Sequence, residues 1–72
     1  MLMIGHQIAM LREKKGMRQA ELAAILNISP STVGMYEQGR RSPSLSMVIR
    51  MAQAFGVTVD YLLTGKDPKD IL

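Results

Sequence analysis

Between Gln19 and Gln38 the chain runs QAELAAILNISPSTVGMYEQ. Leu22, Ala23 and Leu26 share one side of a helix over 19–26. Ala20, Ala23 and Ala24 are strong helix formers, and their small side chains let a neighbouring helix come close. Asn27 follows, a residue that tolerates the left-handed backbone of a sharp turn, and apolar Ile28 is placed to tuck beneath it. Ser29-Pro30 opens the next helix. Serine is a favoured N-cap, and proline at the first helical position gives up no hydrogen bond the helix needs. Val33 and Tyr36 lie on one face, Gly39 supplies the stop, and Gly34 is an unfavourable interior residue. This helix is expected over 30–38. The connection Asn27-Ile28-Ser29 is a three-residue turn, and Leu22, Ala23, Ile28 and Val33 sit where the pair must touch. The stretch is a helix-turn-helix.

The flanks read as helices too. Ile4, Ile8 and Leu11 recur at steps of four and three, Lys14 and Lys15 suit the negative end of a helix dipole, and Gly16 stops it, which predicts a helix over 4–15. After the polar loop from Gly39 to Ser44, the residues Leu45, Val48, Ala52 and Phe55 form a helical stripe stopped at Gly56. Thr58 caps a last short helix through Leu63, ended by Gly65. Residues 65–72 make a polar tail closing on Ile71-Leu72, expected to fray. No β-alternation and no internal repeat is found, so the expected class is all-α with five helices in one domain, 4–64.

Composition narrows the function. With 72 residues there is no room for a catalytic domain plus a sensor. The 47% hydrophobic content suits a small folded core, not a disordered chain. There are no cysteines and one histidine, His6, so a disulfide scaffold, a thiolate nucleophile and a multi-histidine metal site are not expected, nor is any cofactor. The scattered carboxylates offer no nucleophile–base set, and no phosphate-binding glycine loop is found; an enzyme is not expected. The longest apolar runs fall far short of the roughly 20 residues that span a bilayer. The N-terminal charges Arg12, Lys14 and Lys15 follow the apolar stretch, the reverse of a signal peptide, so a cytoplasmic protein is expected. The formal charge is +3. Residues 1–50 hold seven basic and three acidic side chains, a net +4, clustered at Arg12–Arg18 and Arg40–Arg41. The balance tilts toward an anionic partner.

Many spaced positions agree with one family. The runs Gln19-Ala20-Glu21-Leu22-Ala23, Ile28-Ser29-Pro30-Ser31-Thr32-Val33, Tyr36-Glu37-Gln38-Gly39 and Pro43-Ser44-Leu45 resemble the Cro/C1 (xenobiotic-response-element) type of helix-turn-helix protein, the phage-repressor family. The resemblance covers roughly residues 4–64. It implies a five-helix fold, usually dimeric, that binds double-stranded DNA and regulates transcription, most commonly as a repressor. It further implies that Gln19 contacts a phosphate and steadies base-reading residues. By the same resemblance Arg12 and Glu37 form a salt bridge tying the first helix to the end of the third. Pro30, Ser31, Gly34 and Met35 match groove-facing positions, and Arg40 and Arg41 match a phosphate-contacting loop. Two departures stand out. Arg18 replaces the usual serine or threonine cap while Glu21 remains where a capping box wants it, and Asn27 stands where glycine is usual.

The residues available for readout are few. Strong discrimination uses arginine or lysine on guanine and asparagine or glutamine on adenine, and 30–37 contain none of these. Ser31 and Thr32 offer hydroxyls, Pro30 and Met35 offer apolar surface for a thymine methyl, and Gly34 lets the backbone approach. Discrimination should therefore rest on thymine contacts and DNA shape, and affinity on phosphate contacts from Gln19, Ser29 or Ser31, Arg40 and Arg41, with Lys14 or Arg18. Tyr36 shares the face of Val33, which favours a half-buried ring whose hydroxyl reaches a phosphate. A homodimer is expected, with Val57, Val59, Tyr61, Leu62 and Leu63 as candidate contacts; Met1, Met3 and Met10 are further candidates for a protein contact. The competing reading is a small protein-interaction module, antitoxin-like, that touches DNA only within a protein complex.

Overall fold

The computed structural model describes residues 4–66. The expected tail lies outside the described residues from Asp67 onward, as do Met1 and Met3. Five helices follow in order: α1 (Ile4–Lys14), α2 (Gln19–Leu26), α3 (Pro30–Glu37), α4 (Leu45–Phe55) and α5 (Val59–Thr64), with no strand among the described residues. The all-α expectation holds, with ends moved by a residue. Lys15 falls outside α1, Gln38 caps α3 instead of ending it, and α5 runs on to Thr64.

Helix starts follow local chemistry. The hydroxyl oxygens of Ser29, Ser44 and Thr58 accept from the backbone N–H of Thr32, Met47 and Tyr61 at 3.2, 3.2 and 3.0 Å. Each satisfies one of the orphan donors of a first turn. Arg18 cannot do this for α2. Glu21 supplies the other half of the box, its carboxylate accepting from the Arg18 backbone N–H at 2.9 Å and from the Arg18 guanidinium at 3.3 Å. Those bonds, the backbone one first, hold the Glu21 carboxyl below its usual range.

Helix ends share one device. Gly16, Asn27, Gly39 and Gly56 all adopt positive φ. At each, the next residue's N–H reaches back to a carbonyl in the preceding helix: Met17 to Arg12, Ile28 to Ala23, Arg40 to Met35 and Val57 to Ala52, at 2.9–3.0 Å. This is the Schellman pattern, and Asn27 is the one position where it is built without glycine (φ 58°). Met17, Ile28 and Val57 turn inward and pack against the core. The corresponding residue after α3 is Arg40, which is exposed.

The core gathers Ile8 and Leu11 from α1, Leu22, Ala23 and Leu26 from α2, Val33 and Tyr36 from α3, Val48, Met51, Ala52 and Phe55 from α4, and Leu62 from α5. Leu45 departs from the expected stripe. It opens α4 on the chain's surface and is 71% exposed. Arg50 bonds the Leu26 carbonyl at 2.6 Å, a cation on the negative end of α2. α1 crosses α3 at Gly5, which is buried. A Cβ there would stand 2.8 Å from the Glu37 carbonyl oxygen and nearer still to that of Tyr36. Only glycine permits this approach of two backbones.

Candidate nucleic-acid interface

α3 has two unlike sides. Val33 and Tyr36 point into the core, at 1% and 5% exposure, while Pro30 and Ser31 are open to solvent and Thr32 and Met35 are half-buried. At its start the hydroxyls are chained: Ser29 Oγ lies 3.0 Å from Ser31 Oγ and 2.8 Å from Thr32 Oγ1. The Ser29 oxygen is committed to capping, so Ser31 is the freest hydroxyl of the group. At the other end, Gly39 turns the chain and sends Arg40 and Arg41 into an exposed loop, both backbone N–H groups facing the Met35 carbonyl, at 2.9 and 3.4 Å.

The Arg12–Glu37 pair forms and is bidentate. Arg12 Nε donates to Glu37 Oε2 at 2.6 Å and Nη2 to Oε1 at 3.2 Å, while Nη1 donates to the Met17 carbonyl at 2.8 Å. The side chains keep 13% and 8% exposure. The hydrogen bond to Glu37 raises the Arg12 guanidinium above its ordinary range, against the opposing effect of burial. Gln19 joins the cluster, its Nε2 donating to Glu37 Oε1 at 3.0 Å. One carboxylate thus links the end of α3 to α1 and to the start of α2.

Two assignments change. Gly34 does not line an open groove face. It is buried, and the three heavy atoms nearest to where its Cβ would stand all belong to the Gln19 amide. Tyr36, placed among the DNA-contacting residues, has its side chain in the core instead, because the step of three from Val33 carries both to the same inward side. Among the candidate dimer residues, Leu62 is fully buried, whereas Val57, Val59, Tyr61 and Leu63 are half-buried. Leu45 and Ile49 of α4, which no sequence signal marks as surface residues, are 71% and 41% exposed. Met10 is 39% exposed. Among the described residues no helix is long and apolar enough to cross a membrane.

A helix anchored on one side, open on the other, braced by a second helix across a tight turn and followed by a cationic loop defines a five-helix protein of the helix-turn-helix class. The Helix-turn-helix family model matches residues 8–62. The chain is 35% identical over 65 residues to the HTH-type transcriptional regulator y4dJ of Sinorhizobium fredii, covering 90% of this chain and 84% of that protein. It is 33% identical over 63 residues to the SPbeta prophage-derived HTH-type transcriptional regulator YonR of Bacillus subtilis, covering 88% of this chain but only 58% of that protein. Its fold matches the P22 c2 repressor protein, solved in complex with a synthetic operator, at a TM-score of 0.83 and 26% identity, over 92% of this chain and 100% of that one. The chain belongs to the Cro/C1-type helix-turn-helix family. The named relatives and the repressor are regulators, and the same fold also forms about a third of hydroxypropylphosphonic acid epoxidase, matched at 28% identity and a TM-score of 0.78 over 83% of this chain and 32% of that one.

Proposed function

We propose that this chain is a transcriptional regulator, acting as a repressor, that binds double-stranded DNA in the cytoplasm by laying the open side of α3 in the major groove. The observation that carries this reading is the pairing of that open side with the exposed Arg40–Arg41 loop while Val33 and Tyr36 anchor the opposite side. Pro30, Ser31, Thr32 and Met35 face base edges and thymine methyls. Ser29, Arg40 and Arg41 hold the backbone phosphates. The regulator and operator-bound repressor names among its likenesses support the same reading.

Phosphate contacts dominate affinity in such an interface, so binding falls steeply with salt. Replacing Arg40 and Arg41 together by alanine should weaken binding to specific and random duplexes alike. It should also lower the slope of log affinity against log salt by about 2, since each arginine neutralises one phosphate. Titration by fluorescence anisotropy over a salt series measures both. A slope unchanged by the double variant would remove these arginines from the interface.

The functional unit is a homodimer, because one such motif spans few base pairs and half-sites lie about 34 Å apart. Its apolar face combines Leu45 and Ile49, one helical turn apart on α4, with Val59 and Leu63 of α5. Arg50 bonds the Leu26 carbonyl, which marks a different flank of α4 as the α2 side and leaves the Leu45–Ile49 flank open. Among residues of α4 only Arg50 is charged, and a charge-poor centre suits an interface that meets its own copy. Leu45→Glu should leave the helical content intact and shift sedimentation from dimer to monomer. A dimer that survives the change would move the contact elsewhere on the surface.

A further inference from the structure

We propose that Gln19 is itself a base-reading residue: its amide, lying over Gly34, presents a donor and an acceptor to an adenine in the major groove, in the place a side chain at position 34 would occupy. This deepens the DNA-binding reading above and rests on it. The starting point is a deficit. α3 exposes hydroxyls and apolar surface but no arginine, lysine, asparagine or glutamine, the side chains that pair with base edges in two-bonded fashion. Gln38 lies at the far cap of α3; the amide held against the helix itself, that of Gln19, stands on the neighbouring helix.

Its placement is specific. Gln19 Nε2 and Oε1 each lie 3.7 Å from the position of a Cβ on Gly34, and Cδ lies at 4.0 Å, so the amide lies against the bare backbone of α3. Gly34 adjoins the groove-facing residues of the same helix, with Ser31 three residues before it. The absence of a side chain at 34 is what gives the amide this seat.

The orientation is fixed as well. A carboxylate only accepts, so the group facing Glu37 Oε1 at 3.0 Å must be the amide nitrogen. Glu37 in turn is clamped by two bonds from Arg12. What remains on Gln19 is one N–H and the carbonyl oxygen, side by side. That pair matches the adenine edge, where N7 accepts and N6 donates. Ordering the side chain before DNA arrives lowers the entropy lost on binding and fixes the register of the contact.

Selection from a random duplex library tests the inference, run on the natural chain and on Gln19→Met. Methionine keeps an unbranched side chain of similar length over Gly34 without the amide, and a thermal melt establishes that the variant is folded. The expected result is one adenine per half-site, preferred roughly tenfold to a hundredfold by the natural chain. In Gln19→Met that preference is lost and the other positions are kept. Replacing that adenine by 7-deazaadenine, which lacks the N7 acceptor, should weaken the natural chain and leave Gln19→Met unaffected. Equal weakening of Gln19→Met on all sequences would make Gln19 a phosphate contact only and overturn the proposal. A natural chain that binds no duplex at low salt would overturn the DNA-binding reading, and this inference with it.

Discussion

Glu37→Ala should lower the stability of the fold by about 3 kcal/mol, the lower end of the range for removing one member of a buried ion pair. The thermal midpoint should fall by on the order of 15 °C. The cost arises from the partner left behind. Arg12 is only 13% exposed, and without the carboxylate it retains the Met17 carbonyl at 2.8 Å and the exposed Glu13 at 3.7 Å. Gln19 also loses its acceptor. Arg12→Met combined with Glu37→Leu should recover most of the loss, since the charge that needed a partner is then gone. Urea unfolding of Arg12→Met, Glu37→Leu, their combination and the natural chain gives the coupling directly. A Glu37→Ala loss within about 1 kcal/mol would mean that the pair behaves as an ordinary surface ion pair.

Gly5→Ala is expected to destabilise where local reasoning says the opposite. Alanine is favoured over glycine inside a helix by about 1 kcal/mol. The crossing of α1 and α3 reverses the sign. The new methyl group would meet the backbone carbonyls of Tyr36 and Glu37, and no side-chain rotation relieves a clash with backbone. α1 must back away, at a cost of about 1–3 kcal/mol for overpacking, and it carries Arg12 with it. The net expectation is a midpoint lowered by several degrees, read by differential scanning calorimetry. A raised midpoint would show that α1 shifts along α3 freely.

These two positions mark where the sequence is informative and where it is silent. The helix-turn-helix is readable because its signals are local. Ser29 caps, Pro30 starts and Asn27 turns using atoms within a few residues of one another. The Arg12–Glu37 pair comes from resemblance, since 25 residues separate its members. Gly5 carries no signal at all. The need for glycine there depends on how two helices cross, which a linear pattern does not encode. Arg50 reads only as a charge, because nothing near it in the chain indicates the Leu26 carbonyl. Leu45 misleads in the other direction: it keeps the helical spacing of Val48, Ala52 and Phe55, but spacing does not say where along its length a helix meets the core. Position alone puts Gly34 in the groove. Its cover comes from α2, and the contact with Gln19 cannot be read from α3 by itself.

The four helix ends that close in the Schellman pattern, at Gly16, Asn27, Gly39 and Gly56, differ in one respect that bears on use. Behind Gly16, Asn27 and Gly56 an apolar side chain is drawn into the interior. Behind Gly39 there is a guanidinium in water. Three of these corners are therefore riveted by a side chain packed on the core, and the fourth is closed by backbone bonds alone. That corner turns two cations, Arg40 and Arg41, outward on a backbone held by the Met35 carbonyl.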